Sequence, residues 1–234
     1  MTEPKSDTDF LQGGVILIDK PVDWSSFDVV KKIRNILRRR HGVKKIKVGH
    51  AGTLDPLATG LMILCTGNAT REILSYQGLP KVYEATLRLG RTTPSFDLET
   101  EVDGEYPTEH ITEQMIRQTL EKLLGESEQI PPVFSAKRLG GKRAYEYARQ
   151  GKEMKMAPVK IVIHELEMLG YDEKELRLRI RCSKGTYIRA LARDIGKALG
   201  SGACLVKLRR TEIGHFSVRN AVEPDKFKEM LNNV

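Results

Sequence analysis

The 234-residue sequence predicts an α+β protein. Helix-like and strand-like segments are interspersed without the regular alternation of a βαβ chain. Two alternating apolar segments, 159–169 and 175–183, flank a tight turn at residues 171–174 and predict an antiparallel hairpin. No internal repeat, low-complexity stretch or Pro/Gly/Ser-rich linker divides the chain, so one domain is expected from residue 13 to 234. Residues 1–12 are polar and aperiodic and are expected to form a disordered tail.

The elements follow in order. Gly14 to Lys20 is a short apolar run bounded by Gly and Pro, a buried strand. Ser25 and Ser26 offer caps for a helix to about Arg40, with Val29, Val30, Ile33, Ile36 and Leu37 as its apolar stripe. Residues 82–90 alternate, placing Tyr83, Ala85, Leu87 and Leu89 on one strand face. Residues 112–124 form an amphipathic helix ended by Gly125. Thr186 is positioned to cap a helix from Tyr187 to about Leu199, and a last short helix follows Pro224.

Composition excludes several classes. Charged residues make up 30% and hydrophobic residues 40%, as in ordinary globular proteins. Cys65, Cys182 and Cys204 are scattered and odd in number, which argues against a disulfide framework or a cysteine zinc site and favours a reducing compartment. No apolar run approaches a membrane span and the N-terminus does not resemble a signal peptide. A soluble, cytoplasmic protein is expected.

Lys+Arg number 39 against 31 Asp+Glu, a net +8. The cations are grouped in residues 31–47, which hold no acid, in 137–149 with two tyrosines, in the alternating Arg177, Arg179 and Arg181, and in Lys207, Arg209 and Arg210. One such group is ordinarily a solvated face. Four predict an extended phosphate-binding surface and a nucleic-acid partner.

Residues 48–67, VGHAGTLDPLATGLMILCTG, carry four glycines and a single acid, Asp55, between two apolar flanks. An isolated Asp-Pro is usually a turn. Here Asp55 is the only carboxylate between Asp28 and Glu72, and cations surround it in sequence. An acid in a basic field stays ionised and suits a nucleophile or base. The glycines fit neither phosphate-loop pattern, no G-x-S-x-G is present, and the five histidines lack metal-ligand spacing. Kinase, serine-hydrolase and metalloenzyme chemistry are thus disfavoured.

GVILIDKP, GHAGTLDPLATGLM, KVYEATLRLG, IPPVFSAKRLGGKRAYEYARQG, CSKGTYIRALARDIG and LRRTEIG, in this order, resemble the TruB family of pseudouridine synthases from about Gly14 to Gly214. The resemblance implies a pseudouridine synthase fold with a mixed, mostly antiparallel sheet and a central RNA-binding cleft. It implies an isomerase that converts uridine-55 (a tRNA position) in the T-loop to pseudouridine by base flipping, C1′–N1 cleavage and re-attachment through C5. Asp55 is the catalytic residue it implies, with either direct attack on the nucleoside or proton abstraction to a glycal.

The resemblance further implies that Tyr83 stacks on the flipped base and Tyr187 lines the uracil pocket. Arg189 would pair with Asp55, Leu208 would close the pocket, and His50 would hold the extruded loop. Lys20 and Pro21 would support the site from beneath. Lys137, Lys142, Arg143 and Arg149, in a thumb-like loop of about 130–156, would contact the RNA backbone. No metal and no cofactor is implied. The implied partner is tRNA through its T-loop and T-arm, with no membrane and no obligate protein partner, the chain acting as a monomer. The family's fuller members carry a C-terminal PUA domain, and the sequence reaches Val234 without room for one. Residues 38–47 form a longer basic stretch than the family leads one to expect. A non-catalytic RNA-binding or tRNA-folding protein on the same fold is the alternative, distinguished by loss of Asp55 or Arg189, both of which are present.

Overall fold

A computed structural model of the chain describes residues 9–135, 138–139, 142–143, 147, 154, 156–172 and 174–232. Among these the fold is mixed α+β with a mostly antiparallel sheet. The chain packs into two compact units, one from residues up to Val82 together with Arg209 onward, the other from Tyr83 to Leu208.

The first unit opens with β1 (Val15–Lys20), followed by helix α1 (Ser26–Arg40). β2 (Val48–His50) and β3 (Thr59–Thr66) come next, then a 3₁₀ turn at Gly67–Glu72 and α2 (Ile73–Gly78). β1 and β2 each pair antiparallel with β3, in registers such as Lys20↔Gly60 and Val48↔Thr66. The far end of a later strand returns to this unit and pairs parallel with β3, Arg209↔Thr59 and Arg210↔Gly60. β3 is buried along almost its whole length, as expected of a strand with neighbours on both edges. Leu61, Ile63 and Cys65 on it join Ala51 and Ile213 in a core that α2 covers with Ile73 and Tyr76.

Helix α1 begins where its cap chemistry says. Ser25 is the N-cap, its Oγ accepts from the Asp28 N–H at 3.1 Å, and its own N–H donates to Asp28 Oδ2 at 3.0 Å. Val29, Val30, Ile33 and Leu37 are buried, as the stripe predicts. The expected tail boundary at residue 12 falls inside ordered structure. Phe10 is 7% exposed and meets Phe227 edge-to-face with centroids 6.1 Å apart, and the Gln12 carbonyl accepts from Asn68. An aromatic contact and hydrogen bonds from Gln12 and Gly13 to the Asp9 carbonyl hold a turn that polar composition obscures.

The second unit contains most of β4 (Lys81–Leu89), a two-strand ribbon of β5 (Arg91–Thr92) and β6 (Gly104–Glu105), and helix α3 (Glu113–Lys122). β7 (Gly125–Gln129) follows, then a second ribbon of β8 (Arg138–Leu139) and β9 (Lys142–Arg143). β10 (Val159–Asp172) and β11 (Glu175–Cys182) form the expected hairpin. A helix over Ile188–Ala198 leads to β12 (Ala203–Ile213), whose first half lies in this unit. The strand order here is β12-β4-β11-β10-β7.

The expected cap at Thr186 is one residue early. Tyr187 occupies the N-cap position without a side-chain cap bond, because Thr186 Oγ1 donates to the Ser183 carbonyl at 3.1 Å and so closes the preceding turn instead. The chain ends in β13 (Phe216–Ser217), a 3₁₀ turn and a helix over Lys226–Asn232, all in the first unit.

Candidate active site

In the first unit Asp55 lies half-buried in the irregular loop between β2 and β3. Ser26, the first residue of α1, reaches this loop. Its Oγ donates to the Leu54 carbonyl at 2.9 Å and accepts from the Leu54 N–H at 2.8 Å. Lys20, at the end of β1, is 0% exposed, and its Nζ donates to the carbonyls of Pro21 (2.8 Å), Trp24 (2.6 Å) and Pro56 (3.1 Å). These bonds use all three ammonium hydrogens. Burial lowers its pKa to about 8, which the charges of Asp55 and Asp23 oppose and that of Arg210 reinforces. His50 ends β2 opposite Leu64 and is half-buried, as is Pro21.

Arg210 is the residue that the sequence misplaces. Its neighbours Lys207 and Arg209 suggest a phosphate-binding cluster, yet Arg210 is 1% exposed. Its Nε donates to Leu61 O at 2.7 Å, Nη1 to Thr53 O at 3.4 Å and Nη2 to Gly52 O at 3.1 Å. The signal lies in period-two alternation along β12, which separates Arg210 from Lys207 and Arg209. Arg209 is also committed, donating to both carboxylate oxygens of Asp19 at 3.0 and 2.6 Å.

In the second unit Arg189 is buried on the first turn of its helix. It donates to Ser95 O at 3.1 Å and Phe134 O at 2.8 Å, and its Nε lies 3.5 Å from Asp97, with the two side chains 4% and 6% exposed. Those partners engage three of the five guanidinium donors. Tyr187 is half-buried, and Gln129 clamps its peptide from both sides: Gln129 Oε1 accepts from the Tyr187 N–H at 2.9 Å and Nε2 donates to its carbonyl at 3.2 Å. Tyr83 is buried on β4, and Leu208 is half-buried on β12. Gln129 and Asp97 are not among the expected site residues; no sequence pattern links either to its partner.

The structure revises the charge map. Arg179 and Arg181 both donate to Glu165, at 2.8 and 2.9 Å, so two of the three alternating arginines are already paired. Lys32 pairs with Asp225. Arg38, Arg39, Arg40, Lys44, Lys45 and Lys47 are exposed and make no ion pair among the described residues. Lys137 and Arg149 lie outside the described residues, as do the side chains of Lys142 and Arg143.

Other reactive groups are quiet. Burial, with help from the Glu72 charge, pushes the Cys65 thiol up to about 11, and burial likewise raises that of Cys204. Among the described residues no group of three or more His, Cys, Asp or Glu is arranged for a metal ion, and no helix is long and apolar enough to cross a membrane.

The chain as a whole is similar to several known proteins. The chain superposes on solved chains of a Cbf5-Nop10-Gar1 complex (TM-score 0.67, 29% identity, 89% of this chain) and of an archaeal box H/ACA sRNP Nop10-Cbf5 complex (TM-score 0.69, 25% identity, 99%). It spans only 50% and 60% of the length of those chains. A protein from Parabacteroides distasonis named tRNA pseudouridine synthase B is 55% identical over 95% of both chains, and one of the same name from Flavobacterium johnsoniae is 50% identical over 95% of this chain and 98% of its own. Residues 38–188 match the model of the TruB family pseudouridylate synthase N terminal domain, and residues 189–233 that of the tRNA pseudouridylate synthase B C-terminal domain. These matches define an isomerase, of the class that makes pseudouridine. Within that class, the chain belongs to the TruB family of pseudouridylate synthases.

Proposed function

We propose that this enzyme isomerises uridine-55 in the T-loop of tRNA. The observation that carries the reading is the lone carboxylate Asp55 in a loop whose carbonyls from Gly52 to Pro56 all accept hydrogen bonds, in a chain 55% identical to a relative named tRNA pseudouridine synthase B. The target uridine leaves its stack, at a cost of a few kcal/mol offset by stacking on Tyr83 and by phosphate binding. The N1–C1′ bond breaks, the uracil turns, and a C5–C1′ bond forms. The C5 proton leaves and N1 gains one, so the net change is an isomerisation.

Asp55 drives the first step, by attack on the nucleoside or by proton abstraction to a glycal. Tyr187 and Leu208 shape the space for uracil, His50 engages the loop the base has left, and Arg189 belongs to the same machinery. The basic segments, including Lys142 and Arg143, hold phosphates. The enzyme acts as a monomer without a cofactor. The test is Asp55→Asn, expected to bind tRNA while releasing no tritium from C5-labelled uridine. Turnover near the wild-type rate would remove Asp55 from the chemistry.

A further inference from the structure

A catalytic carboxylate on an irregular loop is useful only if the loop cannot wander. From Gly52 to Pro56 every backbone carbonyl has a donor. Arg210 takes the first two, at 3.1 and 3.4 Å. Ser26 takes Leu54 at 2.9 Å, the Ala58 N–H takes Asp55 at 3.1 Å, and Pro56 accepts from the Asp23 N–H at 2.9 Å and Lys20 Nζ at 3.1 Å.

Arg210 differs from the other donors in reach. Its Nη atoms hold the chain before Asp55 while its Nε holds Leu61, six residues after it, so one rigid planar group sets the separation of the two arms. The guanidinium is in turn seated by its own backbone, which pairs with Gly60. Gly60 has φ +105°, and a Cβ there would meet the Arg210 nitrogen at 2.7 Å, so close approach of the two strands requires glycine. Arg210 makes no ion pair among the described residues, and its partners there are neutral carbonyls. Burying such a cation costs more than burying an apolar side chain of its size, so packing alone does not account for it.

Given the assignment of Asp55 above, we propose that Arg210, aided by Ser26, is a positioning residue of the reaction: it fixes the Asp55 backbone before RNA arrives and touches no reacting atom. A displacement of about 1 Å can cost on the order of 100-fold in rate. Loss of the fork should therefore slow chemistry and spare binding.

The experiment is single-turnover pseudouridine formation in tRNA with enzyme in excess, paired with titration of tRNA binding capacity. Arg210→Lys keeps the charge and loses the planar fork. It is expected to lower the rate on the order of 10- to 100-fold, with Kd within about threefold and full binding capacity. Ser26→Ala removes the Leu54 hydrogen bonds without touching the helix cap, which is Ser25, and is expected to lose roughly 10-fold on the same grounds. A wild-type rate in Arg210→Lys, or a rate lost only in proportion to binding capacity, overturns the proposal. If Arg210→Lys fails to fold, Ser26→Ala decides: slowed chemistry with intact binding supports it, and a wild-type rate overturns it. Wild-type enzyme inactive on tRNA would instead overturn the substrate reading, and this inference with it.

Discussion

Lys20 is expected to act in opposite directions on stability and on rate. Its pKa in the folded chain is about 8, below the ordinary 10.5, with burial as the leading cause. The unfolded chain therefore binds this proton more tightly, and between those two values a rising pH favours the fold as far as Lys20 is concerned; below about 8 the cost of the buried charge is fully present. Locally the sign reverses. Losing the proton leaves two hydrogens for three carbonyls, so the Pro21–Trp24–Pro56 grip beneath Asp55 slackens. We expect the single-turnover rate to decline as pH rises through about 8 with no matching fall in Tm, and Lys20→Arg to move that alkaline limb upward. An unshifted limb in the variant would assign the decline to another group. Gly60→Ala is expected to destabilise the chain by roughly 1–3 kcal/mol, since a strained left-handed residue must also meet Arg210; urea unfolding measures it.

Among the elements, α1 carries the clearest local instructions, and removing one has a defined cost. Ser25→Ala removes the side-chain half of the capping box, leaving the Ser25 N–H to Asp28 bond, and should lower stability by about 1 kcal/mol in the same urea assay, while Ser25→Gly should lose only a few tenths. Such elements are legible because their signals are short-range: a cap, a stripe, an alternation. β7 is not, since GESEQ is polar and four of its five residues are exposed on a strand that, among the described residues, pairs only with β10. β12 is not, because its cations mask its alternation. The site divides the same way. The signal that singles out Asp55, the proposed catalytic residue, is held within a few residues of sequence. The donors that seat its loop are not, since Arg210 lies 149 positions from Leu61 and 158 from Gly52, and the pairing of β12 with β3 brings them together.

At the scale of the whole molecule, a net +8 overstates the charge that RNA can meet. Arg179, Arg181, Arg209 and Lys32 already face carboxylates, and Arg210 is buried. The exposed cations from Arg38 to Lys47 remain the densest described group without ion pairs. Replacing Lys44, Lys45 and Lys47 by Gln should raise KM for tRNA and flatten the dependence of log K on log salt by on the order of 0.7–0.9 for each phosphate no longer neutralised, with kcat unchanged at saturation. Wild-type salt slope and KM in that variant would mark the segment as a solvated surface. The order of the chain has its own outcome during synthesis. The second unit, Tyr83 to Leu208, is an insertion in the first, and Arg210 leaves the ribosome only after all of it. Domains fold as they emerge, N-terminal parts first. On the role proposed for Asp55, a nascent chain that stalls before β12 is complete would carry this residue on an unseated loop, so synthesis itself would withhold the activity until Arg210 arrives, and fragments cut short of β12 should modify no RNA.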